Sequence, residues 1–251
     1  MVPLLAAGAA RATTYEVGPG ATYTNIGDVP IESLKAGDVV LIHARSTPYR
    51  EKFGLTGQGA AAAPITIRGV PDANGTRPQI IGENATTRLA LDYPSDSRGV
   101  INVCEASYVV IEGLDISRAR GSFKDDNGSS ATFQNNASAI YLQSGSHITV
   151  RNCLIHDSGN GFFSTSGSSD VLVEGNYIYD NGNAGSIYEH NNYTESDGIV
   201  FQYNRFGPLC DGCSVSNLKD RSAGTVVRYN WIEGGNRALD LVESETFSDL
   251  A

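Results

Sequence analysis

Two stretches of this chain concentrate side chains able to do chemistry. The first, NLKDRSAGTVVRYNWIEGGNRALDLVE at residues 217–243, sets Lys219, Arg221, Asn236 and Arg237 around a short apolar strand. The second, NGNAGSIYEHNNYTESD at residues 181–197, brings together Tyr188, Glu189, His190, Tyr193 and Glu195. Arginines offer forked donors that hold an anionic group, while Lys, Tyr and His are side chains that move protons. Beside Arg221, Lys219 is expected to lose its proton more easily, because a neighbouring positive charge disfavours the ammonium form. These cations stand out because the chain is acidic, with 18 Lys plus Arg against 28 Asp plus Glu and a formal charge of −10. Nucleic acid and anionic membrane surfaces are therefore poor partners, and an anionic ligand must be met by a local patch. The same cations could instead pair locally, Lys219 and Arg221 with Asp220, and Arg237 with Asp240 or Glu233.

The elements that would position these residues show in a repeat. One template occurs five times, as YVVIEGLDI from 108, HITVRNCLI from 147, DVLVEGNYI from 170, GIVFQYNRF from 198 and GTVVRYNWI from 224. Apolar residues recur at its second, fourth and ninth positions, from Val109, Ile111 and Ile116 down to Val227 and Ile232. Alternation with period two means short strands, and repeats of this length separated by Gly, Asn and Ser turns mean a solenoid of stacked coils. The chain is thus predicted to be all-β, a parallel β-helix. Its seventh template column reads Leu114, Cys153, Asn176, Asn204, Asn230. Stacked asparagines there can bond from coil to coil and satisfy a bend that water cannot reach. Seven residues before each of the first three templates lies a further apolar triplet, Ile101-Asn102-Val103, Ile140-Tyr141-Leu142 and Phe163-Ser164-Thr165, so each coil carries at least two strands.

The 251 residues read as one β-helix domain over 13–251 behind a leader-like segment at 1–12, where an apolar run ends in Ala-Arg-Ala. That predicts a secreted or periplasmic protein, and no later apolar run approaches the roughly 20 residues of a membrane span. Residues 26–53 supply a short cap for the N-terminal coil, including a strand from Val39 to Ile42. At the other end RALDLVESETFSDLA begins a strand and stops, as expected of a truncated β-helix or of one whose last coil is covered by a partner chain. Cys210 and Cys213 are spaced for a local disulfide.

Insertions between strands become loops on the binding face. Three are long: residues 117–139, expected as a flexible flap, residues 181–197 and residues 207–223. The last two lie on adjacent coils, about 5 Å apart, which would carry His190 and Tyr193 towards Lys219 and Arg221, with Arg237 one coil further. With AGDVVLIHARSTPYREKF near the start, this coil pattern resembles secreted β-helix carbohydrate-active proteins, nearest the polysaccharide lyases that include alginate lyases and chondroitinase B. The resemblance implies a right-handed helix, in keeping with the general hand of parallel crossovers, and a catalytic Lys ahead of a strand that ends in the turn asparagine. That spacing falls on Arg221 rather than Lys219, and the family's next-coil Arg falls near Val242, leaving Arg237 as a displaced counterpart.

The activity this resemblance implies is β-elimination on an acidic, uronate-containing polysaccharide. Lys219, Arg221, His190 and Tyr193 would be catalytic, and Arg237, Tyr188, Glu189, Glu195 and Asn236 would bind substrate. Calcium stays open as a cofactor, without the Asp cluster of calcium-dependent pectate lyases. Glycoside hydrolysis would instead use a pair among Glu189, Glu195, Asp197, Asp240 and Glu243. A non-catalytic glycan-binding solenoid would use outward aromatics such as Tyr141, Tyr177, Tyr179, Tyr203 and Trp231.

Overall fold

The computed structural model of the chain describes residues 12–88, 96–244 and 246–247; all but the last position of the leader-like segment lies outside them. The repeat becomes a parallel β-helix. Its strands form one 16-stranded sheet that wraps the coil and a 6-stranded sheet of short strands closing it. Each apolar template position becomes an inward ladder running from coil to coil. The fourth position stacks Ile67, Ile111, Val150, Val173, Phe201 and Val227, and the ninth stacks Ile80, Ile116, Ile155, Ile178, Phe206 and Ile232. All are fully buried except Val227 and Ile232, which are partly buried. Alternation puts every second side chain inside, and parallel pairing in register keeps like with like.

The seventh column does what its asparagines predict. Asn176 Nδ2 donates to Asn204 Oδ1 at 3.0 Å, and Asn204 Nδ2 donates to Asn230 Oδ1 at 3.0 Å. Each Oδ1 also accepts the main-chain N–H one coil back: Asn176 serves Cys153, Asn204 serves Asn176, and Asn230 serves Asn204. A second ladder, not singled out in the sequence, runs Asn181, Asn191, Asn217 through side-chain bonds of 2.9 and 2.5 Å. Ahead of the first ladder each of the five template coils turns through a left-handed residue: Gly113, Asn152, Gly175, Tyr203 and Tyr229, with φ from 50° to 71°. Gly adopts this freely and Asn nearly so, whereas a tyrosine there costs on the order of 1 kcal/mol.

Cys153 fills a gap in this column, and burial pushes its thiol up to about 12. Native protein should therefore resist alkylation at Cys153 at neutral and mildly alkaline pH, becoming reactive only in denaturant; peptide mapping after iodoacetamide treatment would show it. The other predicted pair, Cys210 and Cys213, is joined as a disulfide.

Three features differ from expectation. Strands foreseen as separate are continuous at Ser138–Arg151 and Asn160–Glu174. Between them the register shifts, so that Leu142 pairs with Ser164 but Ser144 pairs with Gly167. The extra residue is a bulge, and it moves the third apolar triplet: Phe162, fully buried, takes the inward place and pairs with Ile140, while Phe163 faces outward opposite Tyr141. Finally, the polar 117–139 insertion is a docked hairpin rather than a flap. Its strands Ser122–Lys124 and Ser130–Thr132 pair antiparallel, and Lys124 pairs with Thr86. Phe123 and Phe133, with rings 4.7 Å apart, sink into the core and hold it there.

The expected N-terminal cap packs as two short 3-10 turns, Ile26–Asp28 and Ile31–Ser33, burying Ile26, Val29, Ile31 and Leu34 against the first coils.

Candidate functional site

One outward ladder on the large sheet leads to the cationic residues. Parallel register stacks Asn102, Tyr141, Phe163, Tyr193, Lys219 and Asp240 on successive coils. The rings step along it, Tyr141 to Phe163 at 5.5 Å and Phe163 to Tyr193 at 5.3 Å, and the Lys219 ammonium lies 5.0 Å from the centre of the Tyr193 ring. Arg98, immediately ahead of the Gly99–Val103 strand, spreads its guanidinium over Tyr141 and Phe163 at 4.9 and 5.2 Å. Walls rise from the loop at 133–136 and from Tyr188 and Glu189. The result is a cleft of about 950 Å³ with an aromatic floor and three cations, Arg98, Lys219 and Arg221.

Buried Asn160 ties the two walls together. Its Oδ1 accepts from the His190 N–H at 2.8 Å, and its Nδ2 donates to the Asn136 carbonyl at 3.0 Å. Asp220, the local partner foreseen for Lys219 and Arg221, faces the interior. It is 2% exposed and accepts from Thr194 Oγ1, Ser222 Oγ and Thr225 Oγ1 at 2.5 to 2.7 Å. Alternation along the strand points Lys219 outward and Asp220 inward, so the two cations stay unneutralised. Among the described residues no carboxylate lies within ion-pair distance of Arg98, Lys219 or Arg221. The Nε atoms of Arg98 and Arg221 and the Oε2 of Glu189 are buried without a hydrogen-bond partner. Such groups are costly to leave unmet, and here they converge on one cavity.

Burial lowers the Lys219 amine below the ordinary lysine range; the Asp240 carboxylate opposes this, and Arg221 and Arg237 add to it. Three of the expected site residues sit outside the cleft lining. Arg237 is exposed and holds Asp240 at 3.0 Å, and Asn236 is exposed, with its N–H on the Val215 carbonyl. Glu195 is turned away from the cleft and accepts from Ser244 Oγ at 2.6 Å. The expectation that His190 moves a substrate proton is corrected by its position behind Tyr193, edge-on at 5.5 Å and 2% exposed. Its Nδ1 accepts from the Ser216 N–H at 3.1 Å, which assigns the ring proton to Nε2. Burial, helped by the Lys219 ammonium, holds this imidazole down to about 4.

That depression has a sign. Below about pH 6.5 the unfolded chain protonates this histidine while the folded one does not. Stability is therefore full above that pH and is lost as pH falls towards 4, by roughly 2 kcal/mol at about pH 5. Urea unfolding at the two pH values should show the loss, and His190→Gln should remove most of the pH dependence; an unchanged dependence would refute it.

Sequence reasoning missed Arg98 and Phe163 as site residues. Phe163 was hidden by the bulge. Arg98 stands just ahead of the Asn102 strand, two coils before Phe163, and only the ladder shows that it overhangs the floor. A second cleft of about 750 Å³ near the N-terminal end also has cations, but they are engaged: Arg88 with Glu32 at 2.8 Å, Lys124 with Ser130 Oγ at 2.8 Å, and Arg45 with the Thr24 and Thr47 carbonyls. Among the described residues no group of three or more His, Cys, Asp or Glu side chains is placed to hold a metal ion.

A family model described as "Right handed beta helix region" matches residues 122–249, just over half of the chain. The chain belongs to that family. No curated protein matches this β-helix. Among solved structures it is similar to an alginate lyase from Paenibacillus sp. str. FPU-7, at 20% identity and a TM-score of 0.57, over 80% of this chain and 61% of that one. It is similar also to the pectate lyase Pel9A, at 16% identity and a TM-score of 0.54, over 90% and 56%. A third is a GH136 lacto-N-biosidase from Eubacterium ramulus, at 14% and 0.51, over 87% and 55%. These likenesses are of fold, and the β-helix spans a little over half the length of each.

Proposed function

We propose that this β-helix cleaves an acidic, uronate-containing polysaccharide by β-elimination in the cleft between Arg98 and Arg221. The observation that carries the reading is the set of three cations without a carboxylate partner above an aromatic floor. Sugar rings would lie on Phe163 and Tyr193, while Arg98 and Arg221 hold the carboxylate. Neutralising it matters because removing the adjacent proton builds a second negative charge on the same group. Lys219, as the free amine, takes the proton from the carbon bearing the carboxylate. The electron pair forms the carbon–carbon double bond, the bond to the glycosidic oxygen breaks, and the Tyr193 hydroxyl donates its proton to that oxygen. A proton then returns from Lys219 to Tyr193, which restores both groups.

The names of two similar folds, for alginate and for pectate, are consistent with such a substrate. Hydrolysis is less well supported, since it needs two carboxylates and the cleft is lined by one, Glu189. The Cys210–Cys213 disulfide and the leader-like start support an extracytoplasmic setting.

The test is incubation with alginate, pectate, hyaluronan and chondroitin while following the ultraviolet absorbance of unsaturated uronate ends. A rise with one polymer is expected, and Arg98→Ala should raise KM for it about tenfold. Cleavage that leaves saturated ends would overturn elimination.

A further inference from the structure

On the two coils that carry Tyr193 and Lys219, the chain turns a corner and presents a different surface ten residues on. There Tyr203 and Tyr229 occupy the left-handed turn positions that earlier coils fill with Gly or Asn. Their rings stack in parallel, 5.2 Å apart and 12° from coplanar, and they remain 59% and 71% exposed. A second row runs beside them across the asparagine ladder. Register places Tyr177, Arg205 and Trp231 on successive coils, with the Arg205 guanidinium 4.6 Å from the centre of the Tyr177 ring and Trp231 69% exposed. Left-handed turns recur through this fold, but a bulky ring at one costs on the order of 1 kcal/mol more than the Gly or Asn that fills the same column on earlier coils.

We infer that this corner is a second glycan-binding site, an aromatic platform for an uncharged polysaccharide, separate from the cleft and independent of the elimination reading. Three features select that occupant. The stacked tyrosine pair and Trp231 leave most of their surface in solvent, and exposed aromatic rings of this kind suit the C–H faces of pyranoses. They repeat at one strand spacing, about 4.8 Å, comparable to the advance of one sugar along an extended chain. The charges at the platform are satisfied among themselves: Arg205 pairs with Glu233 at 2.5 Å, Arg228 Nε donates to Gln202 Oε1 at 2.8 Å, and Gln202 donates to Glu174 at 2.7 Å. In the cleft, by contrast, the cations have no carboxylate partner among the described residues, and Arg221 meets only the Glu243 carbonyl at 3.1 Å. A polymer held at the corner is recognised by its ring faces, so the protein could stay on a neutral matrix while its cleft works on acidic chains.

Native electrophoresis in gels containing hydroxyethylcellulose tests this, with alginate gels as the acidic arm. The wild-type protein should be retarded by hydroxyethylcellulose. The double variant Tyr203→Asn, Tyr229→Asn, which copies Asn152, should lose that retardation with a thermal midpoint unchanged or raised, and Trp231→Ala should weaken it on an intact fold. Both sets of variants should keep wild-type activity on short oligosaccharides. No retardation of the wild type by hydroxyethylcellulose, or equal retardation of the double variant, would overturn the inference. So would retardation by alginate alone, and so would a concentration-dependent dimer in sedimentation that the double variant abolishes, since a second copy would then cover the platform.

Discussion

Lys219→Met leaves the coil stack intact and lowers the rate of unsaturated-end formation about 10³-fold, the scale expected when a general base is removed. The loss should fall on kcat more than on KM, because the aromatic floor and the arginines still hold the polymer. Only the free amine can accept a proton, so the wild-type rate rises with pH as Lys219 deprotonates. Burial, Arg221 and Arg237 place this limb below the ordinary lysine value of about 10.4. Asp240 works the other way, since its carboxylate favours the ammonium. Asp240→Asn should therefore move the rising limb to lower pH, a shift that a merely structural role for Lys219 would not produce. A wild-type rate in Lys219→Met would exclude Lys219 as the base.

The largest effect on stability is expected at Asn204. Its Oδ1 accepts from both the main chain and the side chain of Asn176, and its Nδ2 reaches Val173 O at 2.8 Å and Asn230 at 3.0 Å. Asn204→Ala breaks these four hydrogen bonds in a turn that is 2% exposed, while Asn176 Nδ2 keeps the Val150 carbonyl and Asn230 Oδ1 keeps the Asn204 N–H. With each lost bond worth on the order of 1 kcal/mol, the loss should be about 4 kcal/mol, far above the ordinary surface substitution. Urea denaturation followed by circular dichroism would measure it. Asn204→Asp, which keeps the acceptor and loses the donor, should fall between wild type and Ala; equal stability of all three proteins would show that the ladder contributes nothing.

The fold was legible because the template fixes two things at once. Period-two alternation chooses the strand, and recurrence of Ile, Val and Phe in the same column chooses the parallel stack. The asparagine column was legible for the same reason, since Asn176, Asn204 and Asn230 recur at one position where a bend needs donors and acceptors. The second ladder escaped because Asn181 and Asn191 are ten residues apart across an irregular loop, with no template to align them. The bulge between the Ser138 and Asn160 strands escaped because one extra residue among Ser, Thr and Gly leaves the apolar pattern intact on either side. It nevertheless decided which phenylalanine reaches the cleft.

The site was half legible. Tyr193, Lys219 and Arg221 converge because they sit on adjacent coils, which spacing can show. Which way each side chain points depends on register, and this separates Lys219 from Asp220 and sends Glu195 to Ser244. Arg98 and Lys219 are far apart in the chain yet share a cavity, an arrangement visible only after the coils are stacked.

Phe133 lines the cleft wall while lying 5% exposed against Phe123 in the core. One ring thus serves two constituencies. Mutations that would widen the groove for a bulkier or branched polymer must first excavate the packing that seats the hairpin. Adaptation of this protein to new substrates would therefore be expected to run through positions such as Arg98 and Tyr188, leaving the width of the groove as an inherited constant.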